Sequence, residues 1–119
     1  MTTDRAGAYV SDVKRPGETV MFADSALAQG RSGRSGSRTW LIEYSFAEPR
    51  FHPEFPTMRT APSIHFRHFE RANVVWSDGH VDSERMTFSH KSPFYAVDPE
   101  EYSIGWFGSA DNNTLFDLE

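Results

Sequence analysis

With 119 residues, the chain has room for a single domain, residues 1–119, that removes roughly two-thirds of its unfolded surface from water, and no room for two. Leu, Ile, Val and Phe number only 24, close to the floor for building a core, but 10 Phe, 4 Tyr and 3 Trp supply rings that bury on the order of 150–250 Å² each and point to a thin, aromatic core. A net charge of −5, no Cys and no stretch of about 20 apolar residues argue against a nucleic-acid binder, exclude disulfide and thiolate chemistry, and leave no membrane segment or targeting signal in the sequence, Met1–Arg5 included.

Seven prolines punctuate the chain, and no window of twelve or more residues between them keeps apolar residues at i, i+3, i+4 and i+7, so the short β-branched and aromatic runs between turn formers read as strands. The first is Thr19–Asp24, entered through the turn Arg15-Pro16-Gly17-Glu18. The Gly/Ser/Arg tract 30–38 reads as a flexible loop, because fixing so much glycine backbone is entropically costly. Trp40–Phe46 is a second strand whose two-residue period sets Trp40, Ile42, Tyr44 and Phe46 on one face, expected to be buried. The Pro-broken stretch 48–62 is an irregular connection. Ser63–Phe69 alternates again, with Ile64, Phe66 and His68 on one face and His65, Arg67 and Phe69 on the other.

Asn73–Ser83 is the clearest local signal: two strand-like runs joined by Asp78-Gly79, the residues suited to a type I′ turn. A two-residue loop there sets Ser77 opposite His80 and Trp76 opposite Val81. Val74, Trp76 and Val81 would then face the core, and Ser77, His80, Asp82 and Glu84 the solvent. The C-terminal segment holds Ile104–Gly108, the turn cluster Asp111-Asn112-Asn113, and Leu115–Leu118, which is expected to pack back over the sheet.

Two clusters invite a chemical reading. His65, His68, Asp78, His80 and Asp82 are the residue types that ligate zinc or iron, and Asp111-Asn112-Asn113 with Asp117 is oxygen-rich as calcium sites are, although it lacks the spacing of a calcium loop. Neither contains a known catalytic pattern, and no HExxH, GxSxG or phosphate-binding loop occurs. The plainer account has Asp78 and Gly79 serving the turn. It has His68 burying its ring and bonding a backbone carbonyl or the Asp78 carboxylate, so that strand is locked to hairpin.

His68, nine intervening residues and Asp78-Gly79, continuing as His80-Val81, resemble the signature of the prepilin-type processing-associated domain. This is the C-terminal part of pseudopilins similar to type II secretion protein G. Pro16–Asp24 resembles the strand before that family's variable loop, and Phe66-Arg67-His68 its approach to the signature. The resemblance implies an α+β, predominantly antiparallel β fold: a pilin-like head sheet with long loops and little helix, here without the family's apolar N-terminal helix. It implies an exported structural subunit, periplasmic or at the cell surface, that is not an enzyme, takes no cofactor and partners other pilin-like subunits or itself. His68, Trp76, Asp78, Gly79 and Val81 would be architecture. The competing readings are a metal-dependent hydrolase built on His65, His68, His80 and Asp82 with zinc, and a carbohydrate- or surface-binding module presenting Trp40, Tyr44 or Trp106.

Overall fold

Most strands here hold β-branched or aromatic residues, and none of the described strands contains proline, which would remove a ladder donor. In the computed structural model, which describes residues 13–33, 36–91 and 97–116, these are β1 Val20–Ala23, β2 Ala26–Gly33, β3 Gly36–Glu43, β4 Ile64–His65, β5 Arg71–Trp76, β6 Val81–Arg85 and β7 Ile104–Gly105. Among the described residues, helix is confined to short 3-10 turns at Pro16–Glu18, Pro99–Tyr102 and Thr114–Phe116. The strands pair antiparallel in three small sheets, ordered β1-β5-β6, β2-β3 and β4-β7. The antiparallel, helix-poor architecture expected from the sequence is therefore present. No described helix is long and apolar enough to cross a membrane.

Alternation along β5 turns Ala72, Val74 and Trp76 inward. There they meet Ile64 and Phe66 from β4 and its exit, and Trp106 and Phe107 from the C-terminal segment. Leu115 and Phe116 pack against this cluster, as expected. Among the described residues only four rings, Phe66, Trp76, Trp106 and Phe107, are buried, while Phe22, Trp40, Phe46, Phe55, Phe69 and Phe88 remain exposed. The core is thus less aromatic than composition suggests, because three two- or three-stranded sheets cover little area on each other.

β2 and β3 form one uninterrupted ladder from Ala26↔Glu43 to Gly33↔Gly36. The tract expected as a loop is instead its distal half, since backbone pairing needs no side chains and extends a register already set by Ala26–Gln29 against Trp40–Glu43. Arg34 and Ser35 lie outside the described residues. The face expected to be buried is not: Trp40, Ile42 and Phe46 are 42%, 40% and 63% exposed. Ala26 and Ala28 take the buried side, with Ala28 against Ile104, while Trp40 and Ile42 are left partly open to solvent.

The β5–β6 hairpin corrects the turn. Val75 pairs with Val81 and Val74 with Asp82, while Trp76 N donates to His80 O at 2.9 Å and Gly79 N to Trp76 O at 2.9 Å. The loop therefore holds three residues, Ser77-Asp78-Gly79, with only Gly79 at positive φ (92°). This is the geometry of a type I turn closed by a left-handed residue. One extra residue shifts the register by one and exchanges the faces. His80, Asp82 and Glu84 share the face of Trp76, Val74 and Ala72, and Val81 lies on the outside, 62% exposed.

The type I′ geometry appears elsewhere. His68 N donates to Arg71 O at 2.9 Å and Arg71 N to His68 O at 3.0 Å. The two residues between them, Phe69 and Glu70, both have positive φ, 53° and 66°. Neither is a residue that sequence rules place there, because a Cβ disfavours that region.

Candidate functional site

The tip of the β5–β6 hairpin gathers the most chemistry. Ser77 N donates to Thr19 O at 2.8 Å and Asp78 N to Pro16 O at 3.1 Å, so the turn is seated on the proline-led segment before β1. The Asp78 carboxylate accepts from His80 N at 3.0 Å and meets His80 Nδ1. These bonds, the backbone one first, hold its carboxyl below the ordinary carboxylate value. The His80 ring stacks on Trp76 with centroids 5.6 Å apart and planes 7° apart. Trp76 Nε1 donates to Asp82 Oδ1 at 3.1 Å, and Asp82 Oδ2 lies 3.9 Å from His80 Nε2. The imidazole is therefore flanked by a carboxylate at each nitrogen and lies flat against an indole. Its Nδ1 is already engaged by Asp78. Trp76 also lines a cleft of about 170 Å³ together with Arg15, Gly17, Glu18, Thr114 and Leu115. The Arg15 and Glu18 side chains, paired at 3.8 Å, stand at its polar end.

His68 is not part of this group. It stands at the opposite end of β5, half exposed, with Nε2 3.2 Å from Asp24 Oδ2, and the same oxygen accepts from Asn73 N at 2.9 Å. The expected contact with the Asp78-Gly79 bend is therefore absent, because the length of β5 separates the two turns. His68 instead ties the tight turn before β5 to the exit of β1. His65 lies apart from both. Arg67 Nε donates to its Nδ1 at 3.1 Å, and the Arg67 guanidinium reaches Glu43 Oε1 at 2.7 Å and Ser25 O at 3.0 Å. Burial, then the neighbouring Arg67 charge, pushes the His65 imidazole below its ordinary value. His65, His68 and His80 with Asp82 thus occupy three separate places, and among the described residues no three His, Asp or Glu stand together as a metal would need.

The oxygen-rich turn is also committed to protein donors. Asp111 takes both Arg59 nitrogens, at 3.0 and 2.7 Å, and Arg50 Nη1 at 3.3 Å. The Arg59 hydrogen bond, ahead of the other contacts, holds the Asp111 carboxyl below its ordinary value. The Asn113 side chain copies a strand partner, accepting from Phe51 N at 3.0 Å and donating to Phe51 O at 2.8 Å. Asn112 Oδ1 receives Thr114 N and Oγ1 at 3.1 and 2.7 Å. Asp117 lies outside the described residues.

Sequence reasoning missed Arg50. It is 2% exposed. Its Nη2 donates to Phe107 O and Gly108 O at 2.9 and 3.1 Å, and its guanidinium lies 5.7 and 6.0 Å from the Phe88 and Trp106 ring centres. Arg59 lies 4.5 Å over Phe51 and 4.7 Å over Phe88. Two guanidinium groups sharing one carboxylate between aromatic rings clamp the C-terminal segment to the Pro-broken connection. No period in that connection marks Arg50; its flanking Pro49 and Phe51 were the only local hint.

Comparison with protein-family models, with curated proteins and with solved structures gives no significant match for this chain.

Proposed function

We propose that the chain is a non-enzymatic structural subunit, the head of a pseudopilin-like protein, working in an exported, periplasmic or surface compartment. The observation that carries this reading is how the candidate acid–base residues are used. His68 meets Asp24, His65 meets Arg67, which in turn meets Glu43, His80 meets Asp78, and Arg50 and Arg59 meet Asp111. Each set joins separate strands or loops, or closes a turn, as architecture does. The His68-x9-Asp78-Gly79 spacing and the antiparallel, helix-poor fold support the pseudopilin form of the reading. On this reading, Trp76 and Gly79 serve the hairpin, and the half-exposed His80 caps it.

The test is elemental analysis of protein purified without an affinity tag, combined with the mass of assemblies in cells that make the chain. Well under about 0.1 metal ion per chain, together with recovery in complexes larger than the monomer, is the expected result. About one zinc per chain, lost on His80→Ala, would overturn the subunit reading in favour of a metal centre.

A further inference from the structure

We infer that β3 is the docking edge for a second copy of this chain, paired antiparallel to its own β3. This deepens the subunit reading above by naming the partner and the strand. Within the hairpin, Tyr44 N donates to Ser25 O at 3.3 Å, while Ala26 N points away from β3 and donates to Ser63 O at 2.8 Å. Alternation then turns the backbone groups of Thr39, Leu41 and Glu43 outward from β3. Among the described residues β2 is the only strand that pairs with β3. Edge strands are ordinarily blunted by proline, bulges or lysine. This one has a continuous register and no Pro or Lys, and it carries Trp40, Leu41 and Ile42 at 42%, 41% and 40% exposure.

Charge selects the occupant. Residues 26–42 include Arg31, Arg34 and Arg38 and no Asp or Glu, whereas Glu43 and Glu48 stand at the base of the hairpin. Along β3 itself, Arg38 thus lies toward the distal end and Glu43 at the foot, near Glu48, and the surface that complements this arrangement is another hairpin laid in the opposite direction. Only registers that set outward-facing residues against each other close the ladder. The one centred on Leu41 sets Trp40 against the second copy's Ile42 and Thr39 against its Glu43. It also sets Arg38 against its Tyr44, whose hydroxyl donates to Glu48 Oε1 at 2.8 Å. Twofold symmetry makes every one of these contacts twice, in a four-stranded sheet ordered β2-β3-β3-β2.

The experiment is sedimentation velocity of the full chain from about 1 to about 100 µM, at low and high salt. A concentration-dependent dimer that weakens with salt is expected. Leu41→Pro removes an outward donor without removing a hairpin hydrogen bond and should weaken the dimer at least about tenfold. Arg38→Glu and Glu48→Arg should each weaken it, and the chain carrying both should recover it, since the exchange restores opposite charges across the axis. A chain that stays monomeric at about 100 µM would overturn the proposal. So would an assembly indifferent to Leu41→Pro and to both charge reversals, although that result would leave the subunit reading standing. Circular dichroism of each variant shows whether a lost dimer reflects a lost fold.

Discussion

Among the described residues, Phe69 and Glu70 are two consecutive non-glycine residues at positive φ. They make up a two-residue turn, and each L-residue with a Cβ costs about 1–2 kcal/mol in that region. The turn persists because its flanks are over-determined: His68 is held by Asp24, and Arg71 starts a strand paired to Arg85. Replacing Phe69→Asn and Glu70→Gly together should stabilise the fold by about 1 kcal/mol, after allowing for the extra freedom glycine gives the unfolded chain. The gain corresponds to about 4 °C in Tm by calorimetry. Gly105 makes the opposite case. A methyl group there would sit inside contact distance of the Phe88 carbonyl and the Met86 sulfur, where backbone pairs with backbone between Phe88 and Trp106. Gly105→Ala should therefore cost about 1–3 kcal/mol in urea titrations. Gly79 is legible from the Asp-Gly pair, but Gly105 is not, since what crowds it comes from Met86 and Phe88, distant in sequence.

At the scale of elements, the C-terminal segment depends on a polar clamp more than on the strand pairing that sequence patterns reveal. β7 is two residues long and, among the described residues, pairs only with β4, so Arg50 and Arg59 supply much of what joins residues 106–113 to the Pro-broken connection. Removing the acid should be worse than its half-exposed position suggests, because it leaves two guanidinium groups side by side, one of them buried. Asp111→Asn is expected to cost about 1–3 kcal/mol, less than a fully buried pair would. Arg50→Met, which strands the Phe107 and Gly108 carbonyls, should cost at least as much. If the clamp acts as a unit, the double variant falls short of the sum of the two singles in a double-mutant cycle. An Asp111→Asn protein that melts like the parent would show that the clamp holds nothing.

For the whole molecule, the sum of these pairs predicts a staged response to acid. His65 is held below its ordinary 6.5 by burial and by Arg67. The unfolded chain therefore takes up that proton first, and stability drains as pH falls below about 6.5 toward the folded value. Glu84, raised above 4.5 by burial and by Asp82, works the other way: it contributes most below 4.5 and less as pH rises through its folded value. Asp78 and Asp111 are both held below 3.8, so the stability they supply is complete above that value and is lost as pH falls through their folded values. Melting temperature should fall in two steps, one starting near pH 6.5 and one below pH 4. His65→Gln should remove the first step and leave the second. A single step confined below pH 4 in the unmodified protein would show that His65 does not contribute.

Local chemistry in the sequence was enough to determine a helix-poor chain of short antiparallel strands, a hairpin at Asp78-Gly79, and a C-terminal segment folded over the core. Frequent prolines and the lack of a helical apolar period disfavour helices, β-branched and aromatic runs favour strands, and an Asp-Gly pair favours a turn. What only the tertiary structure decided was the register at that turn, the exposure of Trp40 and Ile42, the separation of His68 from Asp78, and the burial of Arg50. One residue of loop length exchanges every face of a hairpin. A strand's apolar face is buried only if another layer reaches it. Groups distant in the chain meet only when all the strands between them have been placed. These outcomes depend on contacts between segments, to which periodicity and propensity, read along a single chain, are blind.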